Sequence, residues 1–120
     1  MKKIKLGFNL NNRKIFLDAV KVPWWYKGIG LMFKSKIRAK ALLFDFEKKT
    51  NISLHSFFVF FDFYALWLDD KNNVLEIQRV KPFQLSVNSK KSFLKVLEIP
   101  ITKRYFKFLR TYRREFERFK

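Results

Sequence analysis

Apolar and polar positions alternate near the start of the chain. Ile4, Leu6, Phe8 and Leu10 are apolar, while Lys3, Lys5 and Asn9 between them are polar. A period of two places one set of side chains on one face of a strand. Asn11-Asn12 tolerates positive φ and suits a tight hairpin turn, so Arg13 to Val22 reads as the returning strand. Pro23 ends it and opens a short helix, because a fixed φ and a missing N–H are tolerated at the first helical position. Ala41 to Phe46 is another short strand, and Glu47 to Asn51 a charged loop.

The chain is organised around Leu54 to Asp70. From Phe57 to Leu68 only Asp62 is charged, and Phe, Val, Tyr and Trp dominate. Such residues favour a packed strand, and the run is well short of the ~20 residues that cross a bilayer as a helix. Two readings stay open: one long central strand, or two strands broken near Asp62. The turn Asp69 to Asn73 leads into a strand over Val74 to Val80, which Lys81-Pro82 closes. Gln84 to Val87 and Phe93 to Ile99 make further strands around the polar turn Asn88 to Ser92. Seven or eight short strands and at most two helices imply a mainly β domain over 1–102, an antiparallel β-sandwich or open barrel with the 57–68/74–80 hairpin central.

After Pro100 the period changes. Tyr105, Leu109, Tyr112, Phe116 and Phe119 recur at spacings of four, three, four and three, one apolar stripe on a helix of about five turns over 103–120. Thr102 is placed to cap it. The other faces carry eight basic residues, including Arg104, Lys107, Arg110, Arg113 and Arg114, against Glu115 and Glu117. The stripe is suited to packing on the β-domain or on a second copy of the chain, which would make a homodimer.

Charge alters the picture most. With 27 basic and 10 acidic residues in 120, the formal net charge is +17. That balance points to a polyanionic partner such as RNA or DNA, or to an anionic membrane surface met by the terminal helix. Arg104, Lys107, Arg110, Arg113 and Arg114 are the candidate contacts. Lys-rich composition serving solubility alone is the competing reading. A hydrophobic content of 48% fits one globular domain. There is no Cys, which excludes disulfide and thiolate chemistry. With no apolar run after Met1-Lys2-Lys3, the expectation is a cytoplasmic protein.

Few residues carry chemistry. Gly28 and Gly30 form a GxG without the rest of a phosphate-binding fingerprint, and a turn explains them better. Trp24-Trp25-Tyr26 is either a lid on the core or a stacking platform. His55 is the one histidine, and no metal ligands sit at useful spacing beside it, so neither a metal nor a cofactor is expected. Paired acid–base groups and a nucleophile elbow are both missing, which argues for a non-catalytic module.

Several segments are nevertheless familiar in order and spacing. Gly30-Leu31-Met32-Phe33-Lys34, Leu42-Leu43-Phe44, His55-Ser56-Phe57-Phe58-Val59-Phe60-Phe61, Val74-Leu75-Glu76-Ile77, Lys81-Pro82-Phe83 and Val96-Leu97-Glu98-Ile99-Pro100 resemble the GLMFR, LLF, HxFFVFF, VVEI, KPW and VLELP elements of the domain of unknown function 192 family. The likeness spans about residues 22–100 and implies a jelly-roll-like β architecture. It also makes a small-ligand pocket conceivable, with Lys34, His55, Asp62, Tyr64 and Lys81 as its candidates. The chain departs from the family where Asp62-Phe63-Tyr64 stands for Pro-Ile-Asp. Asp62 is therefore either a displaced functional carboxylate or a residue that shapes a bend.

Overall fold

The computed structural model describes residues 2–23, 39–53, 59–84 and 86–119. Six strands are present among them: β1 (Lys2–Leu10), β2 (Arg13–Val22), β3 (Leu42–Thr50), β4 (Phe63–Leu68), β5 (Val74–Val80) and β6 (Phe93–Pro100). They form one curled sheet, a half-barrel, in the order β1-β2-β3-β6-β4-β5. The expected mainly β open architecture is present. Pairing is antiparallel except between β2 and β3, which run parallel over Val20–Val22 and Leu42–Phe44, so the sheet is mixed.

Local signals account for the hairpins. Asn11 and Asn12 take φ of 51° and 64°, the left-handed pair that a two-residue turn requires. The β4–β5 turn is held by Asp69, whose carboxylate accepts the backbone N–H groups of Lys71 and Asn73 at 2.9 and 2.8 Å. That turn also ties the two ends of the sheet together. Asn9 N–H donates to the Asn72 carbonyl at 2.8 Å, and Asn72 Nδ2 donates to the Gly7 carbonyl at 3.0 Å.

Alternation divides the apolar side chains into two cores on opposite faces. One is aromatic: Phe44, Phe63, Trp67 and Phe93, with Val59, Phe61 and Val87 packed over it. The other contains Leu6, Phe8, Ile15, Leu17, Leu43, Leu66, Leu97 and Ile99. It is capped by Tyr105 and Phe116, with Phe108, Leu109, Tyr112 and Phe119 packed around them. The C-terminal stripe is thus part of the domain's core.

Three expectations need correction. Of the two readings of the apolar stretch, the single unbroken strand is excluded and an interruption near Asp62 is present. Strand structure begins at Phe63, while Val59–Asp62 lies outside it, and the hairpin is at one end of the sheet because β6 inserts between β3 and β4. Among its described residues, the segment 84–87 contributes only a bridge residue, Val87. The terminal helix is not continuous. A 3-10 turn (Lys103–Tyr105) leads into α1 (Phe106–Thr111) and α2 (Arg113–Arg118), with Tyr112 between them at φ −107°, ψ 18°. Thr102 precedes the first turn, but its side chain makes no capping hydrogen bond. The expected helix after Pro23, the Trp24-Trp25-Tyr26 triplet, Gly28 and Gly30 lie outside the described residues.

Candidate functional site

The parallel pairing of β2 with β3 covers only the last turn of β2, Val20 to Val22. Residues 13–19 have no strand partner on that side among the described residues, and the C-terminal segment packs there instead. Arg13 forms an ion pair with Glu115 at 2.6 Å, and its guanidinium lies 5.1 Å from the centre of the Tyr112 ring. Asn11 Nδ2 donates to the Glu115 carbonyl at 3.0 Å. At the other end, Ala41 N–H donates to Tyr105 Oη at 2.6 Å.

Between these anchors runs a groove. One recess of about 440 Å³ is lined by Lys3, Lys5, Asp18, Lys40 and Arg104, with Tyr105 at its base. A second, of about 600 Å³, shares Lys5, Asp18, Arg104 and Tyr105 with the first and continues along Phe16, Lys107 and Tyr112. Alternation on β1 explains the lysines. Ile4 and Leu6 turn into the core, so Lys3 and Lys5 turn outward. Among the described residues five exposed cations, Lys3, Lys5, Lys40, Arg104 and Lys107, therefore surround one carboxylate, Asp18. Like charges around a concave surface raise the local potential and concentrate anions there. Burial pushes the Tyr105 hydroxyl above its ordinary value, although the Ala41 hydrogen bond and Arg104 oppose this, so the groove's base is neutral.

The five helix cations expected to act together are separated by the fold. Arg104 and Lys107 line the groove. Arg113 is paired with Glu117 at 2.9 Å, Arg114 faces a different recess beside Arg13 and Arg118, and Arg110 lines neither. Lys3, Lys5 and Lys40 were missed as site residues. The available signal was the outward register of Lys3 and Lys5 on an alternating strand, but nothing local joins that strand to residues 100 positions later.

The small-ligand candidates are only partly placed. Lys34 and His55 lie outside the described residues. The Phe63–Val80 pair puts Asp62 and Lys81 side by side at one end of β4–β5. Asp62 forms an ion pair with Arg79 at 2.9 Å, and its carbonyl accepts the Ile101 N–H at 2.9 Å. Lys81 N–H donates to the Gln84 side chain at 2.7 Å. Tyr64 instead packs edge-on against Phe116, with ring centres 5.1 Å apart, in the helix-side core. Asp62 and Tyr64 thus both have contacts within the domain, and Arg79, the ion-pair partner of Asp62, is also the cross-strand partner of Tyr64.

Two other polar groups stand out. Glu98 on β6 faces the aromatic core, opposite Leu42 on β3 and Ala65 on β4, and is 6% exposed. Burial raises its carboxyl to about 8, and no hydrogen bond among the described residues offsets this. Trp67 Nε1, on the same face, is buried without a hydrogen-bond partner among the described residues. Among the described residues no group of three or more His, Cys, Asp or Glu side chains is gathered, and no helix is long and apolar enough to cross a membrane.

A curled six-stranded mixed sheet with a helical segment seated beside β2 defines a small β half-barrel, and the architecture has solved counterparts. A candidate transcription regulator from Sinorhizobium meliloti aligns with a TM-score of 0.66 at 16% identity, over 78% of this chain and 76% of that one. A protein of unknown function from Novosphingobium aromaticivorans aligns with a TM-score of 0.70 at 12% identity, over 88% and 77%. In sequence, a UPF0127 protein of Pyrococcus horikoshii is 28% identical over 61 residues, 51% of this chain and about half, 53%, of the relative. The model of domain of unknown function 192, described as Uncharacterized ACR, COG1430, matches residues 19–103, and the chain belongs to that family. Of the five groove cations only Lys40 falls within the matched residues.

Proposed function

We propose that the protein is a non-catalytic binding module whose groove between the β1–β2 hairpin and the C-terminal segment takes a polyanion, namely nucleic acid. The observation that carries this reading is the convergence of Lys3, Lys5, Lys40, Arg104 and Lys107 on one continuous recess, with Asp18 the single opposing carboxylate among the described residues. A net charge of +17 spread evenly would serve solubility alone; a concave, one-sided concentration favours a ligand. Surface binding to a membrane is less favoured. Tyr105 and Phe116 are buried in the β-domain, with most of the stripe packed around them, which leaves Phe106 as the one large apolar side chain of the described C-terminal segment that is exposed to meet a bilayer. The same packing disfavours a homodimer built on that stripe. The expected cytoplasmic location accords with this reading and is carried with it.

The test is binding to RNA and DNA across a salt series, with anionic liposomes as the control. Five phosphate contacts give a log K against log salt slope of roughly −3.5 on single strands. Lys5→Glu with Arg104→Glu should weaken binding at least tenfold and flatten the slope, whereas Arg113→Glu should change little. Equal effects from Arg113 and from the groove pair would assign binding to overall charge and remove the groove from it.

A further inference from the structure

Phe16 belongs to neither hydrophobic core. It projects from the outward-facing register of β2, shared with Lys14 and Asp18, and is 54% exposed. Opposite it on β1 is Gly7. A Cβ at Gly7 would sit 3.0 Å from Phe16 Cε1, tighter than nine in ten real Cβ contacts, and 2.9 Å from Cε of the flexible Lys14 side chain. The ring therefore lies against the Gly7 backbone, a seat that a larger residue would crowd. Its other side is open to the groove, where the Lys5 ammonium stands 5.8 Å from the ring centre.

Resting on the nucleic-acid reading above, we infer that the groove's ligand is single-stranded, with one base stacked on Phe16 and the adjoining phosphates held by Lys5, Arg104 and Lys107. A basic track with an aromatic platform beside it is how non-sequence-specific proteins hold unpaired strands. Duplex bases are already stacked on each other and offer the groove only phosphates, so Phe16 can add nothing to duplex binding. The second recess, at about 600 Å³, is of the size that holds one small ligand and suits an extruded base with its sugar. The ammonium now over the ring does not block this exchange. An exposed cation–π contact is worth less than a stacked base, and the freed Lys5 gains a phosphate.

The experiment is fluorescence anisotropy with labelled 12-nucleotide oligo(U), oligo(dT) and 12-base-pair duplexes, at matched salt, on the full chain. Wild type should prefer the single strands. Phe16→Leu should lose roughly fivefold to a hundredfold on them, with an unchanged salt slope and unchanged duplex affinity. Phe16→Tyr, which keeps a stacking face, should retain wild-type binding, and circular dichroism should show both variants folded. Binding of either RNA or DNA single strands supports the inference, and the two arms separate those sources. If Phe16→Leu binds like wild type while Lys5→Glu with Arg104→Glu still weakens binding, stacking is refuted and the polyanion reading survives. If the charge variants also bind like wild type, both fail together.

Discussion

Burial of the Glu98 carboxyl predicts that the stability of the fold falls as pH rises. In the unfolded chain its carboxyl loses a proton near 4.5, whereas in the folded protein burial holds the proton until about 8. A carboxyl raised by folding favours the unfolded state as soon as that state ionises. Stability contributed at this position is therefore full below pH 4.5, falls between 4.5 and 8, and levels off above 8. At about 1.4 kcal/mol per pH unit, the gap between 4.5 and 8 sets a ceiling of roughly 5 kcal/mol, a large fraction of a small domain's total. The side chains that face Glu98 from β3 and β4, namely Leu42, Phe44, Phe63, Ala65 and Trp67, do not titrate, so no described neighbour masks the effect. The assay is urea denaturation from pH 5 to 9 for wild type, Glu98→Gln and Glu98→Leu. Both variants should match wild type within about 1–2 kcal/mol at pH 5 and exceed it by several kcal/mol at pH 8. Titrations elsewhere cancel in the difference. Wild type and Glu98→Gln with parallel pH profiles would refute the argument, because they would mean that the carboxyl is solvated or paired in the folded protein.

Phe116→Ala removes a buried ring from the helix-side core, where it meets Tyr64 and Phe108, and should cost about 3 kcal/mol, read as a lower urea midpoint with α2 loosened. Asp62→Asn loses only a partly exposed ion pair with Arg79, and should shift stability by less than about 1 kcal/mol; a larger loss at unchanged secondary structure would reinstate a special role for that carboxylate.

What was legible in the sequence is what neighbouring residues decide. The two asparagines of the first hairpin take positive φ because their side chains tolerate it wherever they stand. β2 and β5 occupy the expected residues, Arg13–Val22 and Val74–Val80, because alternation and a following Pro are local marks. The motifs from Gly30 to Pro100 likewise pointed to the family, with a span close to the matched 19–103. Partner choice is different. The parallel register of β2 on β3 depends on a connection of 19 residues, from Pro23 to Ala41, and no periodicity states which strand lies beside which. That one choice leaves the rest of β2 without a strand partner on that side among the described residues, seats the C-terminal segment beside it, and so assembles the groove. Lys5 and Arg104 are 99 positions apart in the chain and share a recess only because the sheet curls. Glu98 looks like the polar residue of an alternating strand; it is buried because both faces of β6 are covered, one by aromatic side chains and the other by the helix-side core. Charge totals, turns and strand boundaries follow from local chemistry, whereas burial and convergence depend on contacts between distant segments, which exist only once the chain has closed on itself.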